Sequence, residues 1–214
     1  SRSTLSDREP TGLMLRENVS GKASVHYYRK FSAASKMQPE DLDADYIAGA
    51  RILHVTGITA AISPSGLATV KRAMQIAREA GVTVSFDPNL RLKLWSIEEA
   101  RPVLLDLAEH CDYFLPGLDE LALLYETSDD AQIFERLRRL QAISIVKGGP
   151  DLTYVVEKDQ LVEVPYFKAE QVLDTVGAGD GFCAGFLTGL LRGYSNEEAV
   201  RLGNLNGSLV IQAV

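Results

Sequence analysis

The hydrophobic pattern of this chain changes period repeatedly along its length. Short apolar runs bounded by turn residues are typical of buried strands, whereas apolar residues recurring every three or four positions indicate a helix with one buried face. Short runs predict strands at residues 51–56, 82–86, 113–115 and 143–146. Helical periods predict helices at residues 63–80, 97–110, 119–126 and 133–140 and from Asn196 onward. This alternation predicts an α/β fold with a parallel-type sheet covered by helices on both faces.

Two further pairs of short strand-like runs interrupt the alternation. Residues 11–17 and 24–31 are joined through a segment that contains Gly21, which favours a hairpin. Residues 154–157 and 161–164 form a second predicted hairpin. Within the first one, Tyr27, Tyr28 and Arg29 are an unusual group, although a strand with one aromatic and one polar face would also account for them.

Composition narrows the class of protein. The 214 residues include 22 basic and 29 acidic side chains without a Lys/Arg block, which argues against nucleic acid and membrane partners. Cys111 and Cys183 are too few and too far apart for a disulfide framework, and we expect them to be reduced core thiols. With neither a signal peptide nor a long apolar span in view, we expect a cytoplasmic protein.

The stretch with the clearest chemistry is glycine-rich and precedes an apolar helix: Asp174-Thr175-Val176-Gly177-Ala178-Gly179-Asp180. Gly177 and Gly179 permit a backbone in which successive N–H groups face one space, and a helix N-terminus adds further unpaired N–H groups there. Such a cradle suits an anion, and the Asp180 carboxylate beside it suits a general base. A closely packed strand-to-helix corner, with Asp180 as a helix N-terminal charge, fits the same spacing.

Together with the following Gly-Phe-Cys-Ala-Gly-Phe-Leu, this stretch resembles the C-terminal signature of the PfkB (ribokinase-like) family of sugar kinases. The resemblance implies a three-layer α/β/α fold with a small β-sheet lid. It assigns residues 1–36 to the lid and 37–214 to the nucleotide- and substrate-binding domain. It also implies that Gly177, Ala178 and Gly179 form the anion hole for the transferred phosphate, and that Asp180 contacts the sugar and deprotonates its hydroxyl.

Other segments resemble one branch of that family, the 2-keto-3-deoxygluconate kinases. They are Pro10-Thr11-Gly12-Leu13, Tyr27-Tyr28-Arg29-Lys30, Ser32-Ala33-Ala34-Ser35 and Asp87-Pro88-Asn89-Leu90-Arg91. The resemblance implies that Tyr27, Tyr28, Arg29 and Arg91 bind a sugar acid. A guanidinium suits this task because its fork donates two parallel hydrogen bonds to a carboxylate.

The resemblance also implies a site for ATP and Mg²⁺. Cofactor contacts are expected from six residues: Gly117, Lys147, Gly149, Gly177, Gly179 and Asn204. Gly117 stands where many family members have an Asn, and Glu120, three residues later, would act on Mg²⁺ through water. An acidic residue in a first helical turn is also common without any metal, so Glu120 alone is a weak indicator. His54 and His110 are more typical of structural histidines than of catalytic ones.

Some family segments have no counterpart here, namely an opening strand and a Gly-Gly-rich sugar-binding segment before the hairpin. We therefore expect a chain that is truncated at both ends relative to the family. Fructokinase or ribokinase activity on a neutral sugar is an alternative function. A non-catalytic nucleotide- or sugar-binding protein, or an inactive fragment, is the alternative from another class. The family lid also makes a homodimer or a higher homo-oligomer plausible.

Overall fold

The computed structural model describes residues 6–19, 22–148 and 151–212. The strands are β1 Leu13–Val19, β2 Lys22–Tyr28, β3 Ile52–Thr56, β4 Thr83–Asp87, β5 Tyr113–Phe114, β6 Ile143–Val146, β7 Leu152–Val156 and β8 Leu161–Pro165. The α-helices are α1 Ala44–Ala48, α2 Gly57–Ile62, α3 Pro64–Glu79, α4 Ile97–Ala108, α5 Leu118–Tyr125, α6 Asp130–Leu137, α7 Ala178–Leu191 and α8 Asn196–Val210. Two short 3-10 helices lie at Ala33–Lys36 and Pro39–Asp41.

The main sheet has the strand order β3-β4-β5-β6-β7-β8. The pairs from β3 to β6 are parallel, and β6-β7 and β7-β8 are antiparallel. The predicted alternation and the predicted second hairpin are therefore both present. Because β3 to β6 run in one direction, the residues that follow them meet along one edge of the sheet.

Side chains alternate between the two faces of the sheet, and each face has its own apolar core. On one face Phe86, Phe114 and Val146 pack with the buried sides of α3, α4, α5 and α6. On the other face Leu115, Ile145, Val155 and Val164 pack with α7 and α8. Burial of both faces explains why these strands are mostly apolar, and it gives the three layers that were expected.

Side-chain caps fix where several helices begin. Ser63, Ser96, Asp129 and Ser195 each accept a backbone N–H in the first turn of α3, α4, α6 and α8. In contrast, α7 begins after Gly177, whose φ of 83° lies in the left-handed region and which has no side chain that could cap the helix. The N-terminal turn of α7 is consequently left open to other acceptors.

The two remaining strands form a separate small sheet. β1 and β2 pair antiparallel with Leu13 opposite Tyr28, which confirms the predicted hairpin, and its turn residues Ser20 and Gly21 lie outside the described residues. The Lys93 Nζ donates to the Val25 carbonyl at 3.2 Å, and Arg16 forms an ion pair with Asp174. These contacts attach the small sheet to the loop that follows β4 and to the loop that precedes α7. Within the described ranges, no helix is long and apolar enough to cross a membrane.

Candidate active site

The carboxyl edge of the sheet, the first turn of α7 and the small sheet enclose a cavity of about 850 Å³. Asp180, in the first turn of α7, is exposed and lines this cavity. Thr56 at the end of β3, Asp87 at the end of β4 and Arg29 just beyond β2 line it as well. The structure therefore brings the predicted base and one of the predicted sugar-acid ligands to the same space.

The glycine-rich turn faces a second cavity of about 320 Å³, which Ala178 and Gly179 line. In the described part of the chain, the backbone N–H groups of Gly179 and Asp180 have no hydrogen-bond acceptor. A Cβ built on Gly179 would meet no atom within 4 Å, so the turn is open on that side. Unpaired amides at an open helix N-terminus can bind a phosphate group.

The second cavity is largely apolar away from the turn. Tyr166, Phe167, Phe182 and Ile211 line it together with Asn204. The Asn204 amide accepts from the Thr153 hydroxyl at 2.7 Å and donates to the Pro165 carbonyl at 3.1 Å. Asn204, one of the predicted cofactor contacts, thus lies in the wall of this smaller cavity. Its polar atoms connect α8 to β7 and β8.

A buried ion pair lies between the two cavities. The Lys147 Nζ is 2.8 Å from Asp87 Oδ2, and the Cys183 thiol donates to the same oxygen at 3.3 Å. Burial is the largest single effect and lowers the pKa of Lys147, but Asp87, Cys183 and Glu120 together outweigh it and raise this pKa to about 12. Burial also raises the pKa of Cys183, which keeps its thiol protonated. Lys147 therefore remains a cation at neutral pH, with its charge directed to Asp87.

The Glu120 carboxylate accepts two backbone N–H groups. One comes from Leu90 at 2.6 Å and the other from Gly117, at the start of α5, at 2.7 Å. Burial raises the pKa of Glu120 above its usual value, and the Gly117 hydrogen bond opposes this shift. A Cβ on Gly117 would lie 2.6 Å from the Asp119 carboxylate, so a larger residue would require the exposed Asp119 side chain to move. Glu120 holds together the two loops that follow β4 and β5.

The other predicted sugar ligands are more dispersed. The Arg29 guanidinium stacks over the Tyr27 ring at 4.3 Å, and Tyr27 and Tyr28 line a neighbouring cavity of about 690 Å³ with Lys93. Arg91 is exposed, donates to the Leu90 carbonyl at 3.4 Å and is absent from the described lining of the Asp180 cavity. The expected cofactor contact Gly149 lies outside the described residues.

Two residues of this site were not predicted as functional. Asp87 ends a buried strand and precedes Pro88, and an acid at the carboxyl end of a central strand is a signal that sequence reasoning can use. His54, which was expected to be structural, lines the Asp180 cavity, and its Nδ1 lies 3.1 Å from the Ser85 hydroxyl. Desolvation lowers the pKa of His54 against the opposing effect of Asp87. His54 is therefore a neutral polar group in the cavity wall at pH 7.

Comparisons with known proteins show the family of this chain. The family model described as "pfkB family carbohydrate kinase" matches residues 1–214. A 2-dehydro-3-deoxygluconokinase of Bacillus subtilis (strain 168) is 38% identical over 211 residues, which are 97% of this chain and 65% of that protein. The chain thus spans just under two thirds of the length of this curated relative.

Solved structures give the same result for the fold. The PfkB protein from Polaromonas sp. JS666 superposes with a TM-score of 0.86 at 36% identity, covering 96% of this chain and 68% of that one. The 2-dehydro-3-deoxygluconokinase of Thermotoga maritima superposes with a TM-score of 0.80 at 26% identity, covering 94% and 67%. The predicted ribokinase-like fold, with its central sheet, its helical layers and its small antiparallel sheet, is confirmed. The chain belongs to the pfkB family of carbohydrate kinases.

Proposed function

We propose that this chain carries the active site of an ATP-dependent sugar-acid kinase that phosphorylates 2-keto-3-deoxygluconate, also called 2-dehydro-3-deoxygluconate, at its 6-hydroxyl. The observation that carries the proposal is the placement of Asp180 and Arg29 on one cavity, with the open N-terminus of α7 beside it. A guanidinium in the cavity wall suits the carboxylate of a sugar acid, and the Asp180 carboxylate in the same wall suits its hydroxyl. The name of the Bacillus subtilis relative supports the same substrate.

In this proposal each part of the site has one task. Asp180 accepts the proton of the acceptor hydroxyl as that oxygen attacks the γ-phosphorus of ATP, whose bond to the β–γ bridging oxygen breaks as ADP leaves. The backbone N–H groups of Gly179 and Asp180 donate to the transferring phosphoryl group, whose charge they stabilise. Arg29, stacked on Tyr27, holds the carboxylate of the substrate in the same cavity. The small sheet excludes water, which would otherwise compete as the acceptor.

The nucleotide is assigned to the smaller cavity. Its apolar lining by Tyr166, Phe167 and Ile211 suits a purine base, and the glycine-rich turn at its end suits the phosphates. Lys147 and Asn204 belong to the same lining, and Gly117 lies at the start of the neighbouring helix α5.

The residues present can hold Mg²⁺ only through water molecules, with the phosphates of the nucleotide as its direct ligands. Among the described residues, no cluster of three or more His, Cys, Asp or Glu side chains could hold a metal ion by itself. Both Glu120 oxygens already accept a backbone N–H, and their remaining lone pairs can accept from metal-bound water. Mg²⁺, which keeps several waters and binds substrate phosphates, would neutralise phosphate charge there.

Sugar-dependent ADP release with MgATP tests this function. We expect turnover on 2-keto-3-deoxygluconate and at least about 100-fold less on fructose and ribose, which offer Arg29 no carboxylate. The Asp180→Asn variant should lower kcat by about 10²–10⁴-fold, because it removes the proton acceptor. Its equilibrium affinity for ATP should stay near that of the wild type, since the backbone amides of the turn are unchanged.

Each other outcome has a definite meaning. Preferential turnover of fructose or ribose would keep the kinase chemistry and remove the carboxylate-binding role of Arg29. ATP binding without turnover on any sugar acid or neutral sugar, in the protein with all of its family segments, would favour a non-catalytic nucleotide-binding protein. Wild-type turnover by Asp180→Asn would exclude Asp180 as the base.

A further inference from the structure

One buried cluster forms the partition between the two candidate cavities. Lys147 lines the smaller cavity, while Asp87 and Cys183 line the larger one. Their polar atoms meet at Asp87 Oδ2, which lies 2.8 Å from the Lys147 Nζ and 3.3 Å from the Cys183 sulfur. The cluster therefore lies between the space assigned to the nucleotide and the space assigned to the acceptor.

The Asp87 carboxylate joins three separate elements of the fold. Asp87 ends β4, Lys147 directly follows β6, and Cys183 lies in α7, three residues after Asp180. The second oxygen, Oδ1, accepts the Asn89 N–H at 3.0 Å, so the carboxylate also fixes the loop after β4. The first turn of α7, with its open amides and Asp180, is thus connected to the sheet through Cys183.

The burial of this pair separates it from an ordinary surface ion pair. The side chains of Lys147 and Asp87 are 17% and 6% exposed, whereas those of the Lys71–Asp106 pair are 50% and 42% exposed. Replacing a buried ion pair by apolar residues is often neutral or stabilising. A contribution to the free energy of unfolding therefore does not by itself explain why an ion pair is buried here. The cluster of Lys147, Asp87 and Cys183 is better explained by a role in fixing the relative positions of the groups that line the two cavities.

We infer that Asp87 is a positioning residue for phosphoryl transfer, which acts through Cys183 on the first turn of α7 and through Lys147 on the partition between the two cavities. This inference rests on the proposed function. The turn carries Asp180 and the N–H groups assigned to the phosphoryl group. Loss of the Asp87 contacts lets that turn shift relative to the acceptor, which lowers the rate of the chemical step more than the binding of either substrate.

The Cys183→Ala and Cys183→Ser variants test the connection to α7. Both remove the sulfur, but only serine keeps a hydrogen-bond donor for Asp87. We expect Cys183→Ala to lower kcat by about tenfold, because a small displacement of catalytic groups is costly, while KM for the sugar acid and Kd for ATP change by less than about threefold. Cys183→Ser should recover a kcat within about threefold of the wild type. Equal kcat values in both variants and the wild type would overturn the inference.

Amide hydrogen exchange of residues 181–184 gives a readout that does not depend on activity. These amides should exchange faster in Cys183→Ala than in the wild type, and Cys183→Ser should restore the wild-type rate, because the donor to Asp87 is restored. Unchanged exchange in Cys183→Ala would overturn the inference even if the enzyme is active on another sugar. If the wild type transfers no phosphate, the proposed function fails, and this measurement still decides whether Asp87 positions α7.

The Asp87→Asn variant tests the charge, and Asp106→Asn is its matched control on the exposed pair. Asp87→Asn should lower kcat by about 100-fold with an ATP affinity near that of the wild type, since a misplacement of about 1 Å has such an effect. Asp106→Asn should leave kcat unchanged. A wild-type kcat in Asp87→Asn would overturn the inference, and if that variant fails to fold, the two Cys183 variants decide.

Discussion

At the scale of single residues, the buried Lys147 gives the protein a pH-dependent stability that can be assigned to one side chain. Its side chain is 17% exposed. Burial lowers the pKa of Lys147, and Asp87 with smaller contributions from Cys183 and Glu120 raises it to about 12. An unfolded Lys has a pKa of about 10.4. Because the folded pKa is the higher one, this stabilisation is complete below about pH 10.4 and is lost as the pH rises through about 12.

We therefore expect the free energy of unfolding of the wild type to fall by about 2 kcal/mol between pH 10 and 12 through this group. Lys147→Met should lack this part of the pH dependence, and at pH 9 it should be less stable by about 3–5 kcal/mol because Asp87 is left as an unpaired buried charge. Urea unfolding across this pH range measures both quantities.

The exposed pair again provides the control. Lys71→Met should change the free energy of unfolding by less than about 1 kcal/mol at pH 9, since an exposed ion pair contributes little. If Lys147→Met kept the wild-type slope between pH 10 and 12, Lys147 would not be the buried partner of Asp87 in solution.

At the scale of elements, the pairing of α7 with α8 depends on small residues. A Cβ on Gly185 would lie 2.7 Å from the Leu202 carbonyl oxygen and 2.9 Å from the Gly203 Cα. A Cβ on Gly179, in the first turn of α7, would meet no atom within 4 Å. The same substitution at two sites of one helix should therefore have opposite effects.

Gly185→Ala should destabilise the protein by about 1–3 kcal/mol, because the two helices are already in backbone contact there. Gly179→Ala should keep or raise the stability by up to about 1 kcal/mol, as alanine favours the helix. It should nevertheless lower kcat, because the methyl group occupies the open space in front of the amides assigned to the phosphoryl group. Thermal unfolding and steady-state kinetics of both variants measure the contrast, and a stable Gly185→Ala would contradict the close packing.

The helices and strands were predictable where the hydrophobic pattern extended over many residues or where a clear turn separated two strands. α3 and the β7-β8 hairpin are within a few residues of their predicted bounds. α2 was not predicted, because its six residues, Gly57–Ile62, show no alternation of apolar and polar positions. Its start is capped by Thr56, whose hydroxyl accepts the Ile58 N–H. Only glycine fits at position 57, since a Cβ there would collide with the Pro88 carbonyl.

At the scale of the whole molecule, the site depends on strand order, which the sequence does not contain. The glycine-rich turn and Asp180 are contiguous in sequence and were recognisable by resemblance. Asp87 and Lys147, in contrast, are 60 positions apart, and they meet because β4, β5 and β6 are neighbours in the sheet. Arg91 is likewise exposed because of the conformation of the loop after β4, which its sequence motif does not specify.

The small β1-β2 sheet gives the last prediction at this scale. Its residues contribute nothing to the two apolar cores of the described chain. Its contacts with the rest of the protein include the Lys93 hydrogen bond to Val25 and the Arg16–Asp174 ion pair. A segment held in this way exchanges its amide hydrogens through local opening. Arg29 lines the Asp180 cavity from this side, so a bound sugar acid would add a charged contact between the two sheets.

Amide exchange of β1 and β2 should therefore slow by about tenfold or more when 2-keto-3-deoxygluconate is bound at saturation. Fructose, which has no carboxylate, should leave the exchange rate near that of the free protein, and so should ATP alone. In Arg29→Ala the sugar acid should lose its effect on exchange, and its KM should rise by about 10–100-fold through the loss of charged hydrogen bonds. Equal protection by fructose would mean that lid closure depends on the sugar ring instead of the acid, and Arg29 would then lose its assigned role.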